Sequence, residues 1–396
     1  MHPGFQAKYS GANSLADTLE SKLSITSTIF AGAGLWKGGA VYINPELSGG
    51  QGLSSTTGIA GFPNGEIYRV GVAAPVVNLS RLYLQQVINL GGTDDLIPDG
   101  PNQVLTHSST SRLTLSLGKF SIVDFFDDNT YSHDPRSQFL NWAMMDNGAW
   151  DYPADTRGYT EGFVAEFKHE DWSVRIAEVA VPTTANGGVL EYRPTGGAHA
   201  EAIELEKHYL VGGEEGVARA IYYHNVARMG SYRETLNTPS DSMSITKSDQ
   251  YGRVKYGFGI DLEQKLSSLA GVFLRAGWND GATETWAFTE IDRTVSGGVL
   301  FTGAGWSRPQ DNLGVGFVVN GLSDDHKDYL AAGGYGFIIG DGALNYAPEE
   351  IGEAYYRIAF TENIAITGDL QGVMHPAYNA DRGPVVIYSI RTHLEF

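Results

Sequence analysis

The chain has 396 residues, with 46 acidic and 27 basic side chains, a formal charge of −19 and no cysteine. The missing thiols exclude a disulfide framework and a thiolate metal site, and a surface of this sign repels nucleic-acid phosphates, so no nucleic-acid partner is expected. Fifty glycines, 21 tyrosines and 17 phenylalanines mark a turn-rich β protein.

Met1-His2-Pro3-Gly4 has neither the basic start nor the apolar core of a signal peptide. An export signal is therefore expected to have been removed, or to lie before a late start. No apolar run reaches the ~18 residues of a membrane helix. A membrane strand needs only ~9–11 residues and turns half of them away from lipid, so a mean hydropathy of −0.19 is compatible with a spanning barrel.

Period-two alternation predicts strands near 22–31, 35–45, 76–90, 111–120, 158–169, 172–181, 198–210 and 216–229. It continues near 252–265, 270–279, 295–306, 311–320, 349–361, 363–374 and 384–396. Arg253–Glu263 is the clearest. Val254, Tyr256, Phe258, Ile260 and Leu262 form one face, and charged residues or glycines form the other, as suits lipid outside and water inside. The last strand repeats the pattern and ends on Phe396.

The connections alternate in length. Short turns are predicted near Gly32-Ala33-Gly34, His169-Glu170-Asp171, Gly212-Gly213, Ser267-Ser268, Arg308-Pro309-Gln310 and Thr361-Glu362-Asn363. Long connections lie near 46–75, 120–157, 182–197, 230–251, 280–294, 321–348 and 375–383. Tight periplasmic turns and long extracellular loops characterise outer-membrane barrels. Gly91–Thr110 is the misfit, because a short turn is due there. About fifteen strands is an odd count, whereas bacterial single-chain barrels have even counts. A first strand is therefore expected to be missing or crowded into Met1–Ser10, the full barrel having about sixteen. The fold class read from the pattern is all-β: one transmembrane antiparallel β-barrel domain over residues 1–396.

Long loop strings add specificity. Asn44–Glu66 reads NPELSGGQGLSSTTGIAGFPNGE, and Asn279–Thr294 reads NDGATETWAFTEIDRT. Asn320–Gly342 reads NGLSDDHKDYLAAGGYGFIIGDG, and Met374–Val385 reads MHPAYNADRGPV. Together with Leu117–Tyr159, they resemble the carbohydrate-selective porin family, the OprB-type porins. The resemblance implies a sixteen-stranded bacterial outer-membrane barrel whose narrowed pore passes small carbohydrates by diffusion. Outer-membrane lipids are then its surroundings. A homotrimer is common among porins, although one sequence displays no interface.

A sugar pore needs a constriction where side chains exchange hydrogen bonds with hydroxyls without holding them tightly. Residues 120–157 are expected to fold inward as the pore-constricting loop. They hold Asp124, Asp127, Asp128, His133, Asp134, Arg136, Trp142 and Trp150. Alternation places Arg81, Tyr83 and Arg112 on the water face. The family resemblance carries over at Arg81 and at Gly118-Lys119, which makes Arg81 and Lys119 candidates for the basic wall. Two roles stand side by side for these cations: lining the pore, or pairing with loop carboxylates. Glu46 and Arg69 belong to a glycine-rich loop that lines the entrance or latches over a neighbouring barrel.

No cofactor is expected. Asp124, Asp127 and Asp128 lack the spacing of a calcium loop, so pairing with Arg81 or Arg136 is the expectation. The histidines show no ligand pair for zinc. No nucleophile motif or distinct carboxylate pair points to an enzyme. The rival functions are a general or ion-selective porin, and a β-rich surface glycan-binding protein.

Overall fold

The computed structural model describes residues 1–66, 73–192, 197–238 and 243–396. One antiparallel sheet holds sixteen strand segments. The first five are β1 (Ser24–Thr28), β2 (Ala31–Trp36), β3 (Gly39–Gly50), β4 (Val76–Ile97) and β5 (Thr106–Phe120). The next six are β6 (Thr160–His169), β7 (Trp172–Val179), β8 (His199–Val211), β9 (Glu214–Met229), β10 (Gln250–Ser267) and β11 (Ala270–Asn279). The last five are β12 (Arg293–Thr302), β13 (Asn312–Gly321), β14 (Glu349–Ala359), β15 (Ile364–Met374) and β16 (Val385–Leu394). From β3 onward each strand pairs with the next, and β1 and β2 follow one another along β3. Met1 exchanges two 2.9 Å backbone hydrogen bonds with Tyr388 of β16, and His2 bridges Glu20. Among the described residues no helix is long and apolar enough to cross a membrane.

The strands are inside-out relative to a soluble protein. In β15 the exposed positions are Ile364, Ile366, Gly368, Leu370, Gly372 and Met374, while Thr367, Asp369 and Gln371 are buried. In β10 Phe258 and Ile260 are exposed, and Lys255, Asp261 and Glu263 are buried. Burying charge is costly unless it is paired, so this arrangement is favourable only where lipid covers the apolar face.

The wrapping of the sheet follows from one loop. Arg136 in the connection after β5 bonds to Thr28 of β1, while Arg391 of β16 donates to the Pro135 and Gln138 carbonyls. The same connection bonds to Glu204 of β8, Glu263 of β10 and Glu353 of β14. One segment reaches strands throughout the order only because the sheet curls round it into a barrel.

The alternation of short turns and long loops is observed, with two corrections. The first turn lies at Lys37-Gly38, not at Gly32-Ala33-Gly34. Those small residues pair with Tyr42, Val41 and Ala40 inside the β2–β3 ladder. A Cβ on Gly32 would lie 2.9 Å from the Tyr42 ring, so the glycine makes room for an aromatic side chain. Gly38, at φ +74°, takes the turn. Second, Gly91–Thr110 is strand at both ends: β4 runs to Ile97, β5 starts at Thr106, and the tip is 98–105. Twenty-two residues of β4 far exceed the ~9–11 that cross an apolar band. The surplus forms an exposed, bulged hairpin arm whose Val104 backbone N–H donates to the Tyr42 hydroxyl at 3.3 Å.

Candidate solute-passage site: the inward-folded loop

The segment between β5 and β6 leaves the wall at Ser121 and crosses the lumen. Its first acid is taken at once by β4. Arg81 Nε donates to Asp124 Oδ2 at 2.7 Å and Nη2 to Oδ1 at 2.6 Å, a two-pronged pair that fixes both planes. The Arg81 guanidinium also lies 5.4 Å from the centre of the Tyr159 ring. The Tyr159 hydroxyl donates to Glu46 of β3 at 2.8 Å. Glu46 is 3.6 Å from Arg136, whose Nε donates to Glu66 at 2.7 Å. Thus Asp124, Arg81, Tyr159, Glu46, Arg136 and Glu66 form one polar chain from the loop across β4 and β3. Farther along this wall Arg112 lies 3.9 Å from Glu166, which also accepts from Arg175 at 2.7 Å. Water still reaches most of these groups: Arg81, Asp124, Arg136, Glu66, Arg112 and Glu166 keep 14–27% of their side-chain exposure.

The opposite wall is sealed. Arg275 of β11 is fully buried. It donates to Asp127 Oδ1 at 3.3 Å and to the Asp127, Ser132 and Met144 carbonyls at 2.7–3.0 Å. Arg219 of β9 bonds Glu206 and Asp261, both nearly dry. Wall carboxylates then accept loop backbone N–H groups. Glu204 takes Asp127, Glu263 takes Thr130, and Glu353 takes Leu140 and Asn141, all at 2.6–2.9 Å. Other loops dock similarly: Glu349 of β14 accepts from Ala60, Gly61 and Ala377, and Asp151 of the inward loop itself accepts from Trp286, Ala287 and Phe288. Each such donor favours the charged form of the carboxylate, against the burial that disfavours it.

α1 (Trp142–Met145) forms the apolar centre of the loop. Asn141 caps it through a bond from the Ala143 N–H. Trp142 stacks on Phe62 with 5.2 Å between ring centres, and Trp150 is buried against Phe126. His133 faces Asp146 at 3.3 Å. Burial pulls its imidazole down, but bonding to and charge on Asp146, with Asp128 behind it, prevail and hold it at about 9.

The sequence-based candidates divide accordingly. Glu46, Arg81, Asp124 and Arg136 come together, and Arg112 lines the same wall. Arg81 indeed holds the loop carboxylate Asp124. Asp127 leaves this group for Arg275, and Asp128 stays exposed, so the three aspartates do not converge on one point. Among the described residues no cluster of His, Asp or Glu could hold a metal ion. Arg69 lies outside the described residues. Two candidates are corrected. Tyr83 sits on the lumen side but is 4% exposed beneath Tyr42, Phe120 and Phe125, leaving a sugar no ring face. Lys119 pairs with Leu82 and Glu161 and follows the outward parity of Leu117, not the inward parity of Ser116 and Phe120. Glu66, Tyr159, Arg175, Arg219, Arg275 and Glu353 had not been singled out. For Arg175, Arg219, Arg275 and Glu353 a signal existed, a charge on the water parity of an amphipathic strand.

An inside-out antiparallel barrel with one of its own loops docked on the inner wall, beside a water-exposed row of opposite charges, has the architecture of the outer-membrane porins. The profile of the family described as carbohydrate-selective porin, OprB family, matches residues 13–396, and the chain belongs to that family. The high-pH structure of Pseudomonas putida OprB shares the fold. Its TM-score is 0.73 at 16% identity, over 99% of this chain and 91% of that one. The porin AaxA of Chlamydia abortus is 24% identical over 305 residues, which is 73% of this chain and 56% of the relative. The chain thus spans little more than half the length of that curated relative.

Proposed function

We propose that small carbohydrates diffuse passively between the inward loop and the wall formed by β3 to β7. The row Asp124–Arg81–Glu46–Arg136–Glu66 carries this reading. It offers donors and acceptors in alternation, each already matched by a neighbour of opposite charge. A neutral polyol can exchange hydrogen bonds along such a row, whereas an ion filter is built from rings of one sign. Because every charge has a partner, a hydroxyl competes with an existing pair, which keeps residence short.

The test is planar-bilayer conductance with a panel of sugars. Millimolar glucose or maltose is expected to produce brief, concentration-dependent interruptions of the ionic current. Currents indifferent to every sugar, with a strong cation or anion preference, would establish the general or ion-selective porin instead.

A further inference from the structure

Outside the barrel, at the loop end, the lipid-facing wall is hollowed. A groove of about 720 Å³ runs over β10 to β13 beneath the loop that follows β13. This volume lies within the ~300–1,000 Å³ typical of small-molecule sites. Ala276, Val295 and Gly321 form its floor, between the Phe258–Trp278 stack and Tyr346. A Cβ on Gly321 would come within 3.3 Å of the Tyr346 hydroxyl, so the missing side chain helps open the hollow.

Two cations stand on its rim, in a chain whose formal charge is −19. Arg293 lies over the Trp278 ring at 4.9 Å, and Lys327 over the Tyr346 ring at 4.4 Å. Arg293 Nη1 donates to the Asn279 and Asp292 carbonyls. Among the described residues it has no carboxylate partner, which leaves the rest of its guanidinium available. Lys327 is shared with the exposed Asp324 at 3.1 Å. An apolar groove capped by an ammonium and by a guanidinium whose remaining N–H groups have no carboxylate matches an acyl chain below an anionic phosphate, which guanidinium binds in two-pronged fashion.

We infer that this groove is a binding site for a phosphate-bearing, net-anionic acyl lipid of the leaflet on the loop side. The chain lies along Val295 and Trp278, and the phosphate meets Arg293 and Lys327. Detergent-purified barrel titrated with phosphatidylglycerol or phosphatidylcholine brominated in the acyl chain tests this. The Trp278 signal is taken as wild type minus Trp278→Phe. Its quenching is expected at about tenfold lower phosphatidylglycerol than phosphatidylcholine, as for a charge-assisted contact. Arg293→Gln/Lys327→Gln is expected to erase that preference and leave the phosphatidylcholine curve in place. Heat-modifiable migration confirms that each variant is folded. Should Trp278→Phe not fold, native mass spectrometry of the wild type and the double variant reads the same preference as retained lipid. Equal quenching or retention of both lipids by the wild type, or an unchanged preference in the double variant, overturns the inference.

Discussion

Two walls of the lumen carry the same chemistry and put it to different use. On the β3–β6 side Arg81, Arg112 and Arg136 and their partners Asp124, Glu166 and Glu66 keep 14–27% side-chain exposure, and only Glu46, at 8%, is drier. On the β8–β11 side Arg219, Arg275, Glu204, Asp261 and Glu263 are at 7% or less. Exposure decides what a charge pair does. Dry pairs, with backbone N–H groups filling the remaining lone pairs, hold the loop in place. Wet pairs are worth little to stability, roughly 0–1 kcal/mol each, and on the proposed function they are the groups a solute would meet. The acidic excess therefore overstates the pore's own field, since many acids are consumed as loop anchors.

The comparison breaks most visibly at Arg275. Arg275→Ala strands a buried aspartate and three carbonyls, a loss of about 3–5 kcal/mol for a buried pair cut on one side. The loop is expected to leave the lumen, raising single-channel conductance severalfold and lowering the unfolding temperature seen by heat-modifiable migration. A variant with wild-type conductance would mean that the dry wall does not hold the loop.

Next is Glu353→Gln. It keeps acceptor oxygen for only one of the Leu140 and Asn141 donors, so a cost of about 1–3 kcal/mol is expected. The readout is a higher rate of spontaneous current steps with the mean conductance retained.

A smaller effect should come from pH. His133 titrates at about 9, above the ~6.5 of a free imidazole. Its contribution is complete below about 6.5 and is lost as pH rises through about 9. Loop noise in bilayer recordings should therefore grow between pH 7 and 10, and His133→Gln should show no such rise.

The smallest effect on stability and the sharpest on passage is expected on the wet wall. Arg136→Ala should shift unfolding by no more than ~1 kcal/mol, yet change sugar-induced interruptions several-fold. Sugar kinetics equal to wild type would remove Arg136 from the solute path.

Much of the barrel was legible because lipid outside and water inside write a period of two into each strand. Val254 to Glu263 display it without exception. The turn was misplaced at Gly32-Ala33-Gly34 because a glycine that admits the Tyr42 ring looks like one that bends the chain. The β4–β5 arm was unreadable as strand because beyond the lipid the apolar alternation stops, as in Gly91-Gly92-Thr93-Asp94-Asp95. At the site, parity placed Arg81 and Arg112 correctly. The same parity, continued from Leu113, Leu115 and Leu117, already set Lys119 outside. The covering of Tyr83 depends on where Phe125 lands after the loop has folded, which no local pattern records.

The docking of the loop has a kinetic consequence. Thr130 bonds to a carboxylate 133 residues later in the chain, and Leu140 to one 213 residues later. Contacts of such separation form late, after the loop-closure entropy has been met. During biogenesis the carboxylate acceptor for Leu140 and Asn141 of the inward loop exists only once β14 is in position. Docking of the loop's second half is therefore tied to the closing of the sheet, as one late step.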